Sequence, residues 1–374
     1  MTTTPPAEIG MSVADVETPA LLIDLDAFDR NLRRMAGFAN QFGVRLRPHA
    51  KTHKSPVVAL RQMALGAVGQ CCQKVGEAEV LVAGGVPDVL VTNQIVGRRK
   101  IARLVALAKQ AEIGVCVDNP ANIADLDAAA GEFGVTLKVL VEIDLGMARC
   151  GVPTGEPAVA LVRAIVAADN LRFGGLQCYH GSAQHIRGFG ERRTVIEKAG
   201  DSVRRTLDLL ATEGIDCPIV TGAGTGSFPF EAQSGLWGEL QCGSYVFMDA
   251  DYGRNLGEAG EVFDTFENSL FVYATVMSTP TADRAVLDAG LKSLAVDSGM
   301  PSVFGVPGVT YVGASDEHGK LQRDGQARPL ELGEKLMLVP GHCDPTINLH
   351  DWYVGIRNDR VEALWPIAAR GASI

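Results

Sequence analysis

No apolar run in the 374 residues approaches the roughly 18 to 20 that a bilayer span needs. The opening MTTTPPAEIGMSV has neither a basic n-region nor an apolar h-region, so neither export nor membrane insertion is expected, and the predicted setting is cytoplasmic. An excess of positive charge is also missing: Lys and Arg number 34 against 44 Asp and Glu, a formal net charge of −10. That excludes generic nucleic-acid binding, because a polyanion binder draws affinity from clustered cations, and here they are outnumbered and interspersed with acids. No CxxC pair occurs among the eight cysteines (Cys71, Cys72, Cys116, Cys150, Cys178, Cys217, Cys242, Cys343). Most sit in apolar, strand-like runs and read as reduced packing residues. Internal repeats and low-complexity segments are absent too, which removes solenoid and collagen-like classes. What is present is 47% hydrophobic and 21% charged residues, a globular composition with length enough for a large core and two domains.

From about residue 44 a unit recurs in pattern though not in sequence: a short β-rich apolar run, a loop, then a helix-period stretch. Eight runs are countable: VRLRPH (44–49), AVGQCC (67–72), DVLVT (88–92), IGVCV (113–117), TLKVLVEI (136–143), LRFGGLQCY (171–179), PIVTG (218–222) and QCGSYVFM (241–248). Amphipathic segments such as GRRKIARLVALAKQ and ERRTVIEKAGDSVRRTLDLLATEG fill most of the gaps. Continuous apolar strands alternating with helices predict a parallel sheet buried on both faces. Eight of them suit a closed (β/α)8 TIM-type barrel, with an open doubly wound sheet as the alternative. After about residue 265 come β runs without helices, among them SLFVYATVMS, KLMLVP and DWYVGI, which predict a separate all-β domain. The expected α/β division is 26–265 for the barrel and 266–374 for the β domain. Residues 1–25, with the run PALLIDL, are expected to add a strand to the latter.

In such a barrel the active site lies at the C-terminal ends of the strands. The first run ends in RPHAKTHK, placing Lys51 at the mouth of an apolar cavity, where desolvation would lower its pKa and free its amine for a Schiff base. The plainer alternative makes Lys51 and Lys54 solvated loop residues. TGAGTGS (221–227) follows the seventh run, where backbone N–H groups of a Gly-rich loop can hold a phosphate, although the loop could equally be a turn. Arg149 in DLGMARCG could face an anionic oxygen or pair with Asp144 on the surface. Tyr179, His180 and His185 cluster after the sixth run, more polar groups than packing usually explains. In the β domain, His342 and Asp344 of GHCDPT stand at i, i+2. On an extended segment they would offer one imidazole and one carboxylate to a divalent metal, with Cys343 turned away; a His–Asp hydrogen bond at a turn is the alternative.

Taken together and in order, PHAKTHK, CCQKVGEAE, VEIDLGMARCGV, YHGSAQH, TGAGTGS, ELQCGSYVFMDADYG, DAGLKS, SDEHG and PGHCDPTINLHD closely resemble the D-threonine aldolase and D-3-hydroxyaspartate aldolase group. These are relatives of eukaryotic-type D-serine dehydratase within the alanine-racemase-like, fold type III pyridoxal-phosphate enzymes. The likeness runs from about Thr18 to Gly371. It implies that Lys51 is the Schiff-base lysine, that Gly224 and Thr225 receive the cofactor phosphate with Tyr245 nearby, and that Gln73, Arg149 and Tyr179 surround the pyridoxal ring. It further implies that His342 and Asp344 hold a divalent metal, commonly manganese, that His185 removes the β-hydroxyl proton, and that Asp316 lies close to the site, with His53 a catalytic neighbour. The dehydratase relatives carry His-x-Cys where this chain has His-x-Asp, and a carboxylate favours Mn²⁺ or Mg²⁺ over zinc. The implied reaction is retro-aldol cleavage of D-threonine to glycine and acetaldehyde, or of D-3-hydroxyaspartate to glycine and glyoxylate. D-serine dehydratase, a racemase and a non-catalytic cofactor carrier are the competing readings. Nothing in the spacing tells a methyl from a carboxylate pocket, though Arg254, Arg98 and Arg99 could face a substrate carboxylate. A homodimer is the expectation the fold type carries.

Overall fold

The computed structural model describes residues 4–374. A first strand, β1 (Ala20–Asp24), leads into α1 (Leu25–Phe42), whose start is fixed by Asp24 accepting from the backbone N–H groups of Asp26 and Ala27 at 2.9 and 3.0 Å. Gly43, at φ 65°, ends that helix. The alternation then unfolds as β2 (Arg45–Leu46), α2 (Pro56–Ala64), β3 (Gln70–Cys72), α3 (Val75–Ala83), β4 (Asp88–Gln94), α4 (Arg98–Leu107), β5 (Glu112–Val117), α5 (Pro120–Phe133), β6 (Leu137–Glu142), α6 (Glu156–Val166), β7 (Leu171–Cys178), α7 (Phe189–Thr212), β8 (Val220–Gly222), α8 (Phe228–Gln233) and β9 (Glu239–Leu240).

These eight strands, β2 to β9, form one parallel sheet in the order β2-β9-β8-β7-β6-β5-β4-β3. It closes on itself: Val68 N–H donates to Leu46 O at 2.9 Å, Cys71 N–H to Pro48 O at 2.8 Å and Ala50 N–H to Cys71 O at 2.7 Å, joining the first strand to the second. The β/α pattern in the sequence thus becomes the TIM-type barrel. The eighth strand, however, is Glu239–Leu240, not the run at 241–248. That run crosses the barrel mouth as a loop with a 3-10 turn at Ser244–Val246, and its apolar side chains are buried in a different core, Phe247 lying 5.6 Å from the Tyr353 ring. Burial alone makes a loop read like a strand.

One extra residue in β7 shifts its register against β6, from Val139↔Phe173 to Leu140↔Gly175, and brings Gln177 to the cavity floor. Gly175 has φ 126°, and a Cβ there would collide with Ile219 O. Gly175→Ala is therefore expected to destabilise the fold by roughly 3 kcal/mol, read as a lower urea midpoint. An unchanged midpoint would mean that the bulge relaxes at no cost.

The C-terminal part supplies β10 (Leu270–Thr281), β11 (Arg284–Leu287), β12 (Ser302–Val303), β13 (Val309–Ala314), β14 (Gly319–Arg323), β15 (Lys335–Val339), α9 (Cys343–Ile347), β16 (Trp352–Arg357) and β17 (Arg360–Pro366). Their sheet is mostly antiparallel, and β1 lies inside it, antiparallel to β10 and parallel to β16. A core of Leu21, Phe28, Phe247, Leu270 and Tyr353 packs this sheet against α1 and the loop after β9. That packing fixes α9 over the barrel mouth: Cys343 N–H donates to Asp249 Oδ2 at 3.1 Å and its Sγ to Met248 O at 3.3 Å. No helix among the described residues is long and apolar enough to cross a membrane.

Candidate active site

A cavity of about 350 Å³ opens at the C-terminal ends of the barrel strands, large enough for a small cofactor and substrate. A wider groove of about 710 Å³ runs beside it and shares Asp249, but among the described residues no lysine or histidine lines it. The smaller cavity gathers Lys51, Gln73, Arg149, Tyr179, His185, Gly224, Thr225 and His342 from loops that the barrel and α9 hold in place.

Lys51, in the loop after β2, forms an ion pair with Asp344 Oδ2. Burial alone would lower the pKa of this amine, but Asp344 and Tyr179 reverse the sign and raise it above the ordinary lysine value. The desolvated, low-pKa lysine expected from the sequence is therefore not what the chain by itself presents. The spacing along the chain could not show that α9 brings a carboxylate to it. Asp344 is correspondingly held at about 2: burial pushes it up, and Lys51 and His342 more than offset that.

The loop TGAGTGS lies at the opposite wall. Gly224 and Thr225 line the cavity, and no described residue accepts from their backbone N–H groups, which leaves two donors for an anion. Gln184 props the loop from behind, its Oε1 accepting from Gly226 N–H at 2.9 Å; a Cβ on Gly224 would collide with that side chain. Tyr245 contributes through its backbone, whose N–H donates to Thr225 Oγ1 at 3.0 Å. Its ring is buried against Phe266, 5.5 Å away, and its hydroxyl accepts from Gln62 at 3.1 Å, so the side chain does not line the cavity.

Gln73 Nε2 lies 3.0 Å from His49 Nε2 and 3.2 Å from Thr92 Oγ1, a buried polar row on the cavity wall. His49 is kept neutral, its pKa pushed well down by burial and by the charge of Lys51. Arg149 sits 4.0 Å from Glu142 Oε1. Asp144 is not its partner, because Asp144 Oδ1 accepts from the backbone N–H groups of Gly146, Met147 and Ala148 and shapes the turn that presents the arginine. Tyr179 faces the cavity with its pKa raised by burial, so its hydroxyl keeps its proton.

His342 is the residue before the first turn of α9, and Asp344 lies within that turn. The pair is therefore not on an extended segment, and a short helix turn brings the two groups together instead. His342 Nδ1 pairs with Asp297 Oδ2 at 2.8 Å, which leaves Nε2 as the free nitrogen, the arrangement in which a carboxylate orients a metal-binding imidazole. Asp344 Oδ1 is buried with no hydrogen-bond partner. An orphaned buried carboxylate oxygen beside an oriented imidazole fits a divalent cation. Among the described residues no third His, Cys, Asp or Glu completes a cage, so water or substrate oxygen would fill the remaining positions.

His185, on a 3-10 turn after β7, also lines the cavity and pairs through Nδ1 with Asp251 Oδ2 at 2.6 Å. Two expected residues lie elsewhere. His53 is fully buried outside the cavity lining, its Nδ1 accepts from Ser55 N–H at 3.1 Å, and burial lowers its pKa to about 4. Asp316 is exposed between β13 and β14 and does not line the cavity of its own chain. Sequence reasoning passed over His49, Asp251 and Asp297. The only signal was position, RPHAK at the end of the first barrel strand for His49 and MDAD in the loop after the eighth for Asp251, and Asp297 had none.

The lysine, the two free loop N–H groups and the cavity-lining Tyr179 and Arg149 fit pyridoxal phosphate. Comparison with known proteins agrees with this geometry. Residues 23–251 match the alanine racemase N-terminal domain, and residues 269–356 match a serine dehydratase domain. The chain is 50% identical over 371 residues to 3-hydroxy-D-aspartate aldolase of Paracoccus denitrificans, covering 98% of this chain and 95% of the relative. It is 48% identical over 369 residues to D-threonine aldolase of an Arthrobacter species, covering 99% and 97%. The solved structure of D-threonine aldolase from Filomicrobium marinum superposes with a TM-score of 0.96 at 51% identity, covering 100% of both chains.

Proposed function

Because the chain belongs to the alanine-racemase-like family, with the second domain of the serine dehydratase relatives, we propose that it is a pyridoxal-phosphate lyase that cleaves D-β-hydroxy-α-amino acids to glycine and an aldehyde. The observation that carries the reading is one cavity lined by Lys51, an oriented His342 and His185, with Asp344, one oxygen unpartnered, joined to it through Lys51. Pyridoxal phosphate supplies the electron sink for the pair left on the α-carbon when the Cα–Cβ bond breaks. Lys51 Nζ holds the cofactor, the Gly224 and Thr225 amides hold its phosphate, and Gln73, Arg149 and Tyr179 orient its ring. His342 and Asp344 would hold a divalent metal, Mn²⁺ or Mg²⁺ for this nitrogen–oxygen donor pair, which would supply Lewis-acid chemistry. His185 takes the β-hydroxyl proton. Cys343 is turned into the protein toward Met248 O, so no thiolate joins the pair, which favours the aldolase over the zinc-type dehydratase reading.

D-Threonine is the substrate the lining favours. Lys51 and Arg149 are its only permanent cations among the described residues. Arg254 is engaged by Asp251 and by Ser298 O at 2.6 Å, and Arg98 and Arg99 lie exposed at the start of α4, outside the cavity. With Lys51 holding the cofactor, that leaves Arg149 as the one cation for any substrate carboxylate, and a second carboxylate would lack a cation of its own. D-3-Hydroxyaspartate is the second reading, carried by the 50% identity to an enzyme named for it. The test is a side-by-side assay of the two amino acids with pyridoxal phosphate and Mn²⁺. A kcat/KM higher for D-threonine is expected, a higher value for D-3-hydroxyaspartate would reverse the substrate order, and pyruvate from D-serine without aldehyde would overturn the reading. The eight cysteines are all free, in keeping with a reducing cytoplasmic setting. A homodimer, the expectation the fold type carries, completes the proposal; a monomer in sedimentation would remove that part.

A further inference from the structure

Building on the proposed role of His185, we infer that Asp251 is its positioning residue, fixing which ring nitrogen faces the substrate. His185 presents a side chain 55% exposed to the cavity, whereas Asp251 is 6% exposed beneath it. The contact is short, 2.6 Å from Nδ1 to Oδ2. Nothing about Asp251 is free to turn: its Oδ1 accepts from Arg187 at 2.5 Å and from Arg254. Each arginine is itself anchored, Arg187 to Asp251 O at 2.7 Å and Asn255 Oδ1 at 2.8 Å, Arg254 to Ser298 O at 2.6 Å. Tyr252 lies roughly parallel to the imidazole, the ring centroids 6.4 Å apart.

A carboxylate can only accept, so Nδ1 must carry the hydrogen, and in the neutral imidazole the lone pair is then on Nε2. Two guanidiniums on the same carboxylate keep it ionised: burial raises its pKa, and the hydrogen bonds from Arg187, His185 and Arg254 bring it below the ordinary aspartate value. The imidazole thus enters the cavity in one tautomer and one orientation, the state a base needs before substrate arrives. An asparagine at 251 could turn its NH₂ toward Nδ1 and stabilise the opposite tautomer.

The test compares wild-type holoenzyme with His185→Gln, Asp251→Asn and the double variant, measuring kcat and KM for aldehyde release from D-threonine with pyridoxal phosphate and Mn²⁺, and the visible cofactor spectrum. Asp251→Asn is expected to lower kcat about 100-fold, the scale of one proton-transfer residue, with KM and spectrum little changed. It should cost nothing further in the His185→Gln background. Losses that multiply in the double variant, or a fully active Asp251→Asn beside an inactive His185→Gln, would overturn the inference. A fully active His185→Gln would instead remove the base assignment on which the inference rests, and the inference with it. Should Asp251→Asn fail to fold, Arg254→Gln loosens the same carboxylate from a half-exposed position, with about a tenfold lower kcat expected. Additivity with His185→Gln would overturn the inference there too.

Discussion

Lys51→Ala protein, purified in the presence of pyridoxal phosphate, is expected to lack the visible absorbance of lysine-bound cofactor and to lose cleavage by at least about 10³-fold. Lys51 is the only lysine lining the cavity among the described residues, so no other amine can take over the attachment. Lys54, three residues on, is buried in an ion pair with Glu77 at 2.7 Å on the far side of the loop and should not substitute for it. The fold should survive, because the truncation removes one end of an ion pair beside an open cavity, not part of a packed core. Retention of the visible band in Lys51→Ala would refute the assignment of the attachment site.

Asp344→Ala is expected to separate the two cofactors. The phosphate loop, Gln73 and Tyr179 lie on other elements, so bound pyridoxal phosphate and its visible spectrum should persist. Cleavage should fall by about 10³-fold, since a Lewis acid at a developing alkoxide contributes several kcal/mol. Added Mn²⁺ should no longer stimulate the protein, and His342→Ala should behave alike, because each removes half of the same pair. Full activity in Asp344→Ala would mean that Asp344 serves only as the ion partner of Lys51.

The barrel was legible because its strands are buried on both faces and so read as continuous apolar runs bounded by polar loops. The same rule misplaced the eighth strand. Tyr245, Val246 and Phe247 are as buried as any strand residue, yet they pack into the second core, and periodicity does not say which core a segment joins. β12 and β14 escaped for the opposite reason: Ser302–Val303 is two residues long, and Gly319–Arg323 has Leu321 as its one apolar side chain. At the site, Lys51 and the His342/Asp344 pair were visible as unusual chemistry beside apolar runs. Their mutual contact was not, since Lys51 and Asp344 are 293 residues apart and meet only because α9 caps the barrel. Asp297 orients His342 across 45 residues with no spacing pattern to announce it. Gln177 and Gln241, a reciprocal amide pair at 2.9 and 2.7 Å on the cavity floor, were hidden inside apolar runs.

The most direct measurement is aldehyde release from D-threonine by the pyridoxal-phosphate-loaded protein before EDTA, after EDTA, and after returning Mn²⁺. Release should fall to background with the chelator and recover with the metal, while the visible cofactor spectrum stays constant throughout. Release that persists undiminished in metal-free protein would contradict a metal-assisted cleavage.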